Sequence, residues 1–305
     1  MSNSATRHRT FTTIGVPIDS VGFGRQEPHG TELSPEALRT AGLGRLGWPD
    51  AGDRDVRIPD HERDATSGVV GVAGVLTTTD LVRLAVAAHC RAGDRPFLVG
   101  GCCTLVAGAL AGARDALGTV GLIYVDGHLD FYDGLTSPTG EAADMPVAVI
   151  LGDGPQPWVE RVAPTPVCPP AAIAILGYRD PDELDDLARQ LTANRSRGLF
   201  DMDGATIRRD GPAAAAARAI EHVGATVDRF WLHLDLDVLD EAVFPATDYL
   251  LPDGLDWNEL VELLRPIATD DRLAGWSIAC YYPEKDPDGS GGRAIVSALE
   301  RIFAG

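Results

Sequence analysis

The chain has 305 residues, of which 45% are apolar, and a formal net charge of −19. This length and composition suit one large α/β domain or two small ones with a sizeable core. The charge disfavours nucleic acids and anionic membranes as partners, because both require a basic surface. The first ten residues are polar and no apolar run reaches about 18 residues, so neither a secretory signal nor a membrane span is expected.

The cysteines indicate a reducing compartment. Their number is odd and their spacing in a long chain matches no disulfide framework, which favours reduced thiols and a cytoplasmic protein. They are Cys90, Cys102, Cys103, Cys168 and Cys280.

Apolar runs and helical periodicity alternate along the chain. Strands are predicted at residues 14–18, 55–59 (a short edge strand), 97–99, 121–125, 173–178, 199–202, 230–237 and 276–282. Helices are predicted from residue 34, at 79–91, at 104–117, from 145, and at 182–192, 212–223, 257–267 and 292–303, whereas 60–77 and 153–170 are predicted to be irregular. Such alternation predicts an α/β fold with three α/β/α layers and a mostly parallel sheet of about eight strands. We expect a single domain over 1–305, with 1–10 disordered.

The strand at 121–125 ends in three potential metal ligands, Asp126, His128 and Asp130. Carboxylate oxygen and neutral imidazole nitrogen suit divalent Mn, Fe, Co or Zn, and carboxylates can bridge two ions. Solvated turn residues would give the same short pattern, so this stretch alone leaves both interpretations open.

A second apolar strand ends in Asp235 and Asp237, which strand alternation places on one side. Two buried acids repel each other unless a positive charge lies between them, and a bound cation is the simplest one. Loop acids in water are the alternative. In a parallel sheet both strand ends lie at the same edge, which permits one shared site.

Several stretches together resemble the ureohydrolases, the superfamily of arginases, agmatinases and formimidoylglutamases. The resemblance follows the chain in order and is carried by residues 14–17, 34–39, 100–101, 125–130, 176–180, 235–240 and 244–247. It implies an arginase-like fold, a trimeric or hexameric homo-oligomer, and a dinuclear manganese site whose bridging water attacks a small amidino or guanidino substrate. It further implies that Asp126 and Asp235 bridge the metals, that His128 and Asp237 bind one ion, and that Asp130 binds the other.

The chain departs from the family pattern at the first metal position. Cys103 stands where the family has a histidine ligand, and His233 stands where it usually has serine. A thiolate ligand is softer than Mn prefers and would favour Zn, Fe or Co. Cys103 is therefore either a ligand or a small buried residue, and Cys102 is expected in the core. His233 is either a ligand, a proton shuttle or a core histidine.

Two further departures concern catalysis and the substrate. Ala143 replaces a proton-transfer histidine, which leaves Glu141 or Asp144 as substitutes unless both are surface carboxylates. Cys280 replaces a glutamate that pairs with the guanidinium, so a less basic amidine, a hydroxyguanidine or a formimino compound is expected rather than arginine or agmatine. Asp19 and the loop around Arg25 are additional candidates for lining the pocket.

Two functions remain open from the sequence. The first is a metal-dependent hydrolase of C–N bonds, with Asp130, His128 and Glu141 as candidate catalytic residues. Its candidate ligands for two divalent ions are Cys103, Asp126, His128, Asp130, Asp235 and Asp237. The second is a catalytically weakened or non-catalytic homologue with a binding or structural role, which would have no catalytic reason to retain all five Asp and His ligands.

Overall fold

A computed structural model of the chain describes residues 10–20 and 30–304. Its strands are β1 (Thr12–Gly15), β2 (Asp50–Asp53), β3 (Pro96–Val99), β4 (Gly121–Val125), β5 (Ile173–Leu176), β6 (Phe200–Met202), β7 (Phe230–Asp235) and β8 (Leu273–Ala279). They form one sheet in the order β2-β1-β3-β8-β7-β4-β5-β6, and all pairings are parallel. The expectation of disorder at 1–10 lies, except for Thr10, outside the described residues.

Helices cover both faces of the sheet. They are α1 (Ser34–Ala41), α2 (Val72–Ala92), α3 (Leu105–Leu117), α4 (Pro146–Leu151), α5 (Gln156–Val162), α6 (Pro181–Ser196), α7 (Gly204–Asp210), α8 (Pro212–Gly224), α9 (Trp257–Ala268) and α10 (Ser290–Phe303). Alternate strand residues enter two separate apolar clusters, with Leu122 and Tyr124 on one face and Ile123 and Val125 on the other. The three-layer fold predicted from the sequence is confirmed.

Some boundaries predicted from the sequence are wrong. The edge strand lies at Asp50–Asp53 rather than at 55–59, and α2 begins within the predicted loop at 60–77. Helix α5 lies inside the stretch predicted to be irregular, and α7 was missed. A tertiary contact joins two of these segments, because Trp158 Nε1 donates a hydrogen bond to Thr79 Oγ1 at 2.9 Å. Thr79 is thus a buried residue inside α2, whereas the sequence analysis began the helix there.

Helix α2 is long and apolar enough to cross a membrane by length and composition alone. It packs along α3 in the structure, and Val75, Val82 and Val86 are fully or almost fully buried there. The helix also carries Asp80, Arg83 and other polar residues. Helix α2 is therefore an amphipathic helix that covers one face of the sheet, with its apolar stripe towards the core.

The four central strands end at one level of the sheet. Val99 on β3 pairs with Ile278 on β8, Asp235 on β7 pairs with Ala279, and Val125 on β4 pairs with Leu234. The residues that directly follow these strands therefore meet at the middle of one sheet edge, although they are far apart in sequence.

The turn after β3 depends on glycine, and we predict that Gly101→Ala destabilises the fold more than Gly93→Ala. Both glycines have positive φ, 68° and 84°, which costs an alanine about 1–2 kcal/mol. A Cβ on Gly101 would also lie 2.4 Å from Ile18 Cγ1 and 2.9 Å from Val16 O, whereas none of the described atoms lies within 4 Å of one on Gly93. Overpacking should add about 1–3 kcal/mol at Gly101. Urea unfolding midpoints check this, and equal shifts would contradict it.

Candidate metal centre

The first part of the site is a carboxylate–imidazole cluster of Asp126, His128 and Asp237. The His128 Nδ1 atom lies 3.0 Å from Asp237 Oδ2 and 3.5 Å from Asp126 Oδ1, so one ring nitrogen faces both acids. One donor atom from each residue lies within 4.8 Å of the other two. Backbone amides hold both carboxylates in place, since His128 N donates to Asp126 Oδ1 and Gly127 N to Asp237 Oδ1.

The electrostatics of this cluster show how strongly it requires positive charge. Burial and the neighbouring Asp237 raise the pKa of Asp126 to about 6. Burial opposes protonation of His128, but the adjacent acids, Asp237 first, raise its pKa well above the usual value. The raised pKa favours an imidazolium between the two buried carboxylates when no metal is bound, and a divalent ion would supply the same positive charge. Oxygen and imidazole donors in this arrangement fit an ion such as Mn²⁺.

The opposite ring nitrogen of His128 faces a third acid. Its Nε2 is buried without a hydrogen bond and lies 3.5 Å from Asp180 Oδ2. Asp180 is the N-cap of α6, where its side chain accepts hydrogen bonds from Asp182 N and Glu183 N. A carboxylate behind an imidazole fixes the ring orientation in many metal sites, and Asp180 occupies that place here.

The second part of the site is a thiol cluster of Cys103, His233 and Cys280, which lies against Asp235. Cys103 Sγ donates to Asp235 Oδ2 at 2.7 Å and lies 3.2 Å from His233 Nε2 and 3.9 Å from Cys280 Sγ. It also lies 3.7 Å from Asp126 Oδ2, which links the two clusters. Burial, then the contact with Cys280, raises the pKa of the Cys103 thiol well above its ordinary value.

His233 is a fully buried residue of β7 with both ring nitrogens in contact. Nδ1 lies 2.7 Å from Ser277 Oγ on the neighbouring strand, and Nε2 faces Cys103. Burial lowers the pKa of His233 to about 3, so the ring is neutral. The ring also stacks on Tyr124 at a centroid distance of 4.8 Å.

Asp130 is buried at the same edge but belongs to neither cluster. Its Oδ2 accepts a hydrogen bond from Tyr124 OH, and its backbone has a positive φ of 53°. Glu183 supports this conformation, because its carboxylate accepts hydrogen bonds from Leu129 N at 2.7 Å and from Asp130 N at 3.0 Å. Asp130 as a metal ligand therefore remains a prediction.

Glu183 is a site residue that the sequence analysis missed. It is 4% exposed, whereas Asp182 and Asp185, which flank it in the sequence, are exposed. Helical spacing could have found it, because Glu183 lies four residues before Leu187 and eight before Leu191, on the buried face of α6. Strand β7 also differs from expectation, because it ends at Asp235 and Asp237 lies in a 3-10 turn, Leu236–Val238. Both acids still reach the cavity, and Asp237 N donates to Asp235 Oδ1 at 2.7 Å.

A cavity of about 370 Å³ opens over the two clusters. None of the described residues that line it is lysine or arginine, and beyond the two clusters its lining includes the acids Glu141, Asp144, Asp182, Asp186 and Asp248. Glu141 is buried and its Oε2 accepts a hydrogen bond from Tyr249 OH at 2.6 Å. Ala143 and Cys280 also line the cavity. Asp19 is buried but is absent from this lining, and Arg25 lies outside the described residues.

An all-parallel eight-stranded sheet with carboxylates and imidazole at its central strand ends defines an α/β protein with a candidate dinuclear metal centre. The arginase family model matches residues 9–304, so the chain belongs to the arginase family. The arginase of Brevibacillus brevis is 28% identical over 302 residues, which cover 97% of this chain and 98% of the relative. The resemblance predicted from the sequence is thereby confirmed. The family and these relatives support a hydrolase that acts on C–N bonds of linear amidines.

Solved structures show the same fold. The arginase of Bacillus caldovelox superposes with a TM-score of 0.84 at 24% identity, over 97% of this chain and 99% of that one. The formimidoylglutamase of Bacillus subtilis gives 0.76 at 20% identity, over 97% of this chain and 86% of that one. Proteins with different amidine substrates share this architecture, so the fold alone does not select the substrate.

We predict that Asp144 makes the metal-free protein less stable as the pH rises from about 4 to 7. Its Oδ1 is buried without a partner and its Oδ2 accepts hydrogen bonds from Ser137 and Thr139. Burial raises its pKa to about 7, so the unfolded chain releases this proton at lower pH than the folded chain does. The loss should reach about 2–4 kcal/mol. The Asp144→Asn variant should not show this loss of stability.

Urea unfolding at pH 5 and pH 8 in the presence of a chelator measures this effect. The exposed residue Glu36 provides a matched control, and Glu36→Gln should keep the pH dependence of the unmodified chain. The same pH dependence in Asp144→Asn and the unmodified chain would show that Asp144 has no such role.

Proposed function

We propose that this chain is a metal-dependent hydrolase that cleaves a C–N bond of a small guanidino, hydroxyguanidino or formimino compound. One observation carries the proposal. Three buried carboxylates, Asp126, Asp235 and Asp237, and the half-buried His128 line a cavity of about 370 Å³ in a chain of the arginase family. Divalent ions bound there would lower the pKa of a shared water towards neutrality and so supply the nucleophile.

The protein's own groups have separate tasks in this proposal. Asp126 and Asp235 face both clusters and suit bridging positions, as the resemblance implies. His128 and Asp237 complete the carboxylate–imidazole cluster, and Asp180 fixes the His128 ring. Manganese is the ion proposed for this cluster, because its donors are oxygen and imidazole.

We propose Glu141 as the group that gives a proton to the departing amine. It lies in the cavity wall near Ala143, which stands in the place of the expected histidine, and Tyr249 orients its carboxyl group. Proton donation of this kind contributes about 10²–10⁴-fold to a rate.

The charge of the cavity points to the substrate class. Asp182, Asp186 and Asp248 in the lining favour a substrate whose second end is cationic or neutral, since a carboxylate there would meet like charges. Cys280 in place of a carboxylate weakens bidentate pairing with a guanidinium at the inner end. A weakly basic amidine head with an amine tail satisfies both conditions.

A non-catalytic homologue is the second candidate function. The hydrogen bond from Tyr124 to Asp130 favours it, because this contact engages a carboxylate that the resemblance assigns to a metal. Retention of the carboxylate–imidazole cluster favours the hydrolase instead.

Because the resemblance implies it, we also propose that the protein is cytoplasmic and forms a trimer or hexamer. Light scattering coupled to size-exclusion chromatography would measure the oligomeric state.

We predict turnover of amidino compounds with a preference for amine tails over carboxylate tails. The substrate panel should contain three head groups, guanidine, hydroxyguanidine and formimine, each with an amine tail and with a carboxylate tail. With Mn²⁺ present, the assay should follow the release of urea, hydroxyurea, ammonia or formamide. The kcat/KM of the amine-tailed member should be at least about tenfold higher, equivalent to about 1.4 kcal/mol. Release from no compound would support the non-catalytic alternative. A preference for carboxylate tails would refute the charge argument.

We predict that Glu141→Gln lowers kcat by about 10²–10⁴-fold, because glutamine retains the hydrogen bond to Tyr249 but transfers no proton. The loss should shrink for substrates with more acidic leaving groups, which need less protonation. Glu36→Gln is the control, since Glu36 is exposed and does not line the cavity. An equal loss for every leaving group would assign Glu141 to substrate binding instead.

A further inference from the structure

We propose that the thiol cluster is a thiolate–imidazole site for a zinc-like divalent ion, so that the centre holds two chemically different metals. Cys103, His233 and Cys280 provide its donors, with Asp235 as the carboxylate shared with the other cluster. The proposal rests on the proposed function only in placing two ions in one centre. Cys280 thereby acts as a metal ligand and does not bind the substrate.

The distances from Cys103 to its two neighbours are close to those between zinc ligands. Zinc bonds of about 2.3 Å to sulfur and 2.0–2.1 Å to nitrogen place tetrahedral ligand atoms roughly 3.5–3.8 Å apart. Cys103 Sγ lies 3.9 Å from Cys280 Sγ and 3.2 Å from His233 Nε2. Donor atoms of Cys103, Asp235 and Cys280 lie within 4.8 Å of one another, and the ring of His233 would have to move towards this group to complete the site. The hydrogen bond from Cys103 to Asp235 would be replaced when both thiols lose their protons to solvent on metal binding.

The ring of His233 is oriented as a ligand would be. Ser277 Oγ contacts Nδ1 at 2.7 Å and also accepts a hydrogen bond from Trp231 Nε1 at 3.0 Å, which fixes the hydroxyl group. A partner on one ring nitrogen that directs the other towards the metal is a common feature of histidine ligands. Nε2 therefore faces Cys103 from a fully buried strand position.

The sequence changes at this place belong together. Cys103, His233 and Cys280 are three of the positions at which the chain departs from the family pattern, and in the structure Cys103 contacts both of the others. The imidazole comes from β7 instead of the turn after β3, and the two thiols add soft donors. Soft donors select Zn²⁺, Fe²⁺ or Co²⁺ over Mn²⁺, whereas the carboxylate–imidazole cluster retains harder donors.

X-ray absorption spectroscopy of the zinc-loaded full chain, prepared with a reductant, tests the site without an activity assay. We expect sulfur scatterers at about 2.3 Å from zinc and nitrogen or oxygen scatterers at about 2.0–2.1 Å. Cobalt titration should give a sulfur-to-metal charge-transfer band. Zinc bound to nitrogen and oxygen only, or cobalt binding without this band, would overturn the proposal, as would failure of the chain to bind zinc.

Single-residue variants test which side chains bind the zinc ion. Cys103→Ser and Cys280→Ser should each remove one sulfur scatterer and weaken zinc binding by about 10–100-fold, and His233→Gln should weaken it similarly. Cys102→Ser is the matched control, since Cys102 is an equally buried neighbour whose thiol forms a hydrogen bond with Ser20 Oγ instead. Unchanged sulfur scattering in both cysteine variants would overturn the assignment. If a variant fails to fold, the spectrum of the unmodified chain still decides.

The reciprocal variant separates this proposal from the proposed function. His128→Asn should weaken manganese binding and leave zinc–sulfur scattering unchanged, because His128 belongs to the other cluster. Turnover of amidines without zinc–sulfur scattering would refute the thiolate site alone. Zinc–sulfur scattering without turnover of any amidine would refute the hydrolase and retain the site.

Discussion

The burial of several carboxylates at one sheet edge is the constraint on which the rest of the site depends. Asp126, Asp235 and Asp237 are at most 4% exposed, and like charges this close cannot all remain ionised without compensation. Donors surround them in the structure, among them the imidazolium of His128 and the thiol of Cys103. Each of these donors carries a proton at a place where a cation would serve equally well. The chemistry of the centre therefore follows from an electrostatic requirement of the fold.

The parallel sheet creates this requirement. Right-handed crossovers bring every strand back in the same direction, so the carboxyl ends of β3, β8, β7 and β4 lie side by side at the centre of one edge. Apolar residues pack on both faces below that edge, and the strands cannot shift in register without moving these residues out of their layers. The rigid core thus holds the ligand-bearing turns in place.

The sequence predicted the features that are local or follow from the parallel topology. Asp126 and Asp235 could be paired in advance, because each directly follows an apolar run. The contact of Cys103 with Cys280 could not, since the two are 177 positions apart and meet only because β8 inserts beside β3. The spacing of Glu183 to Leu187 and Leu191 indicates the buried face of α6, but its contact with Leu129 N depends on where α6 packs against the turn after β4.

The two clusters differ in the consequences of changing one residue. In the carboxylate–imidazole cluster, backbone amides hold Asp126 and Asp237 independently, so each can be replaced while the other keeps its place. The thiol cluster is interdependent, because Cys103 contacts His233, Cys280 and Asp235 at once. A histidine at position 103 would place a second, bulkier ring against His233 below the cavity. A change at Cys103 therefore affects all three of its partners at once.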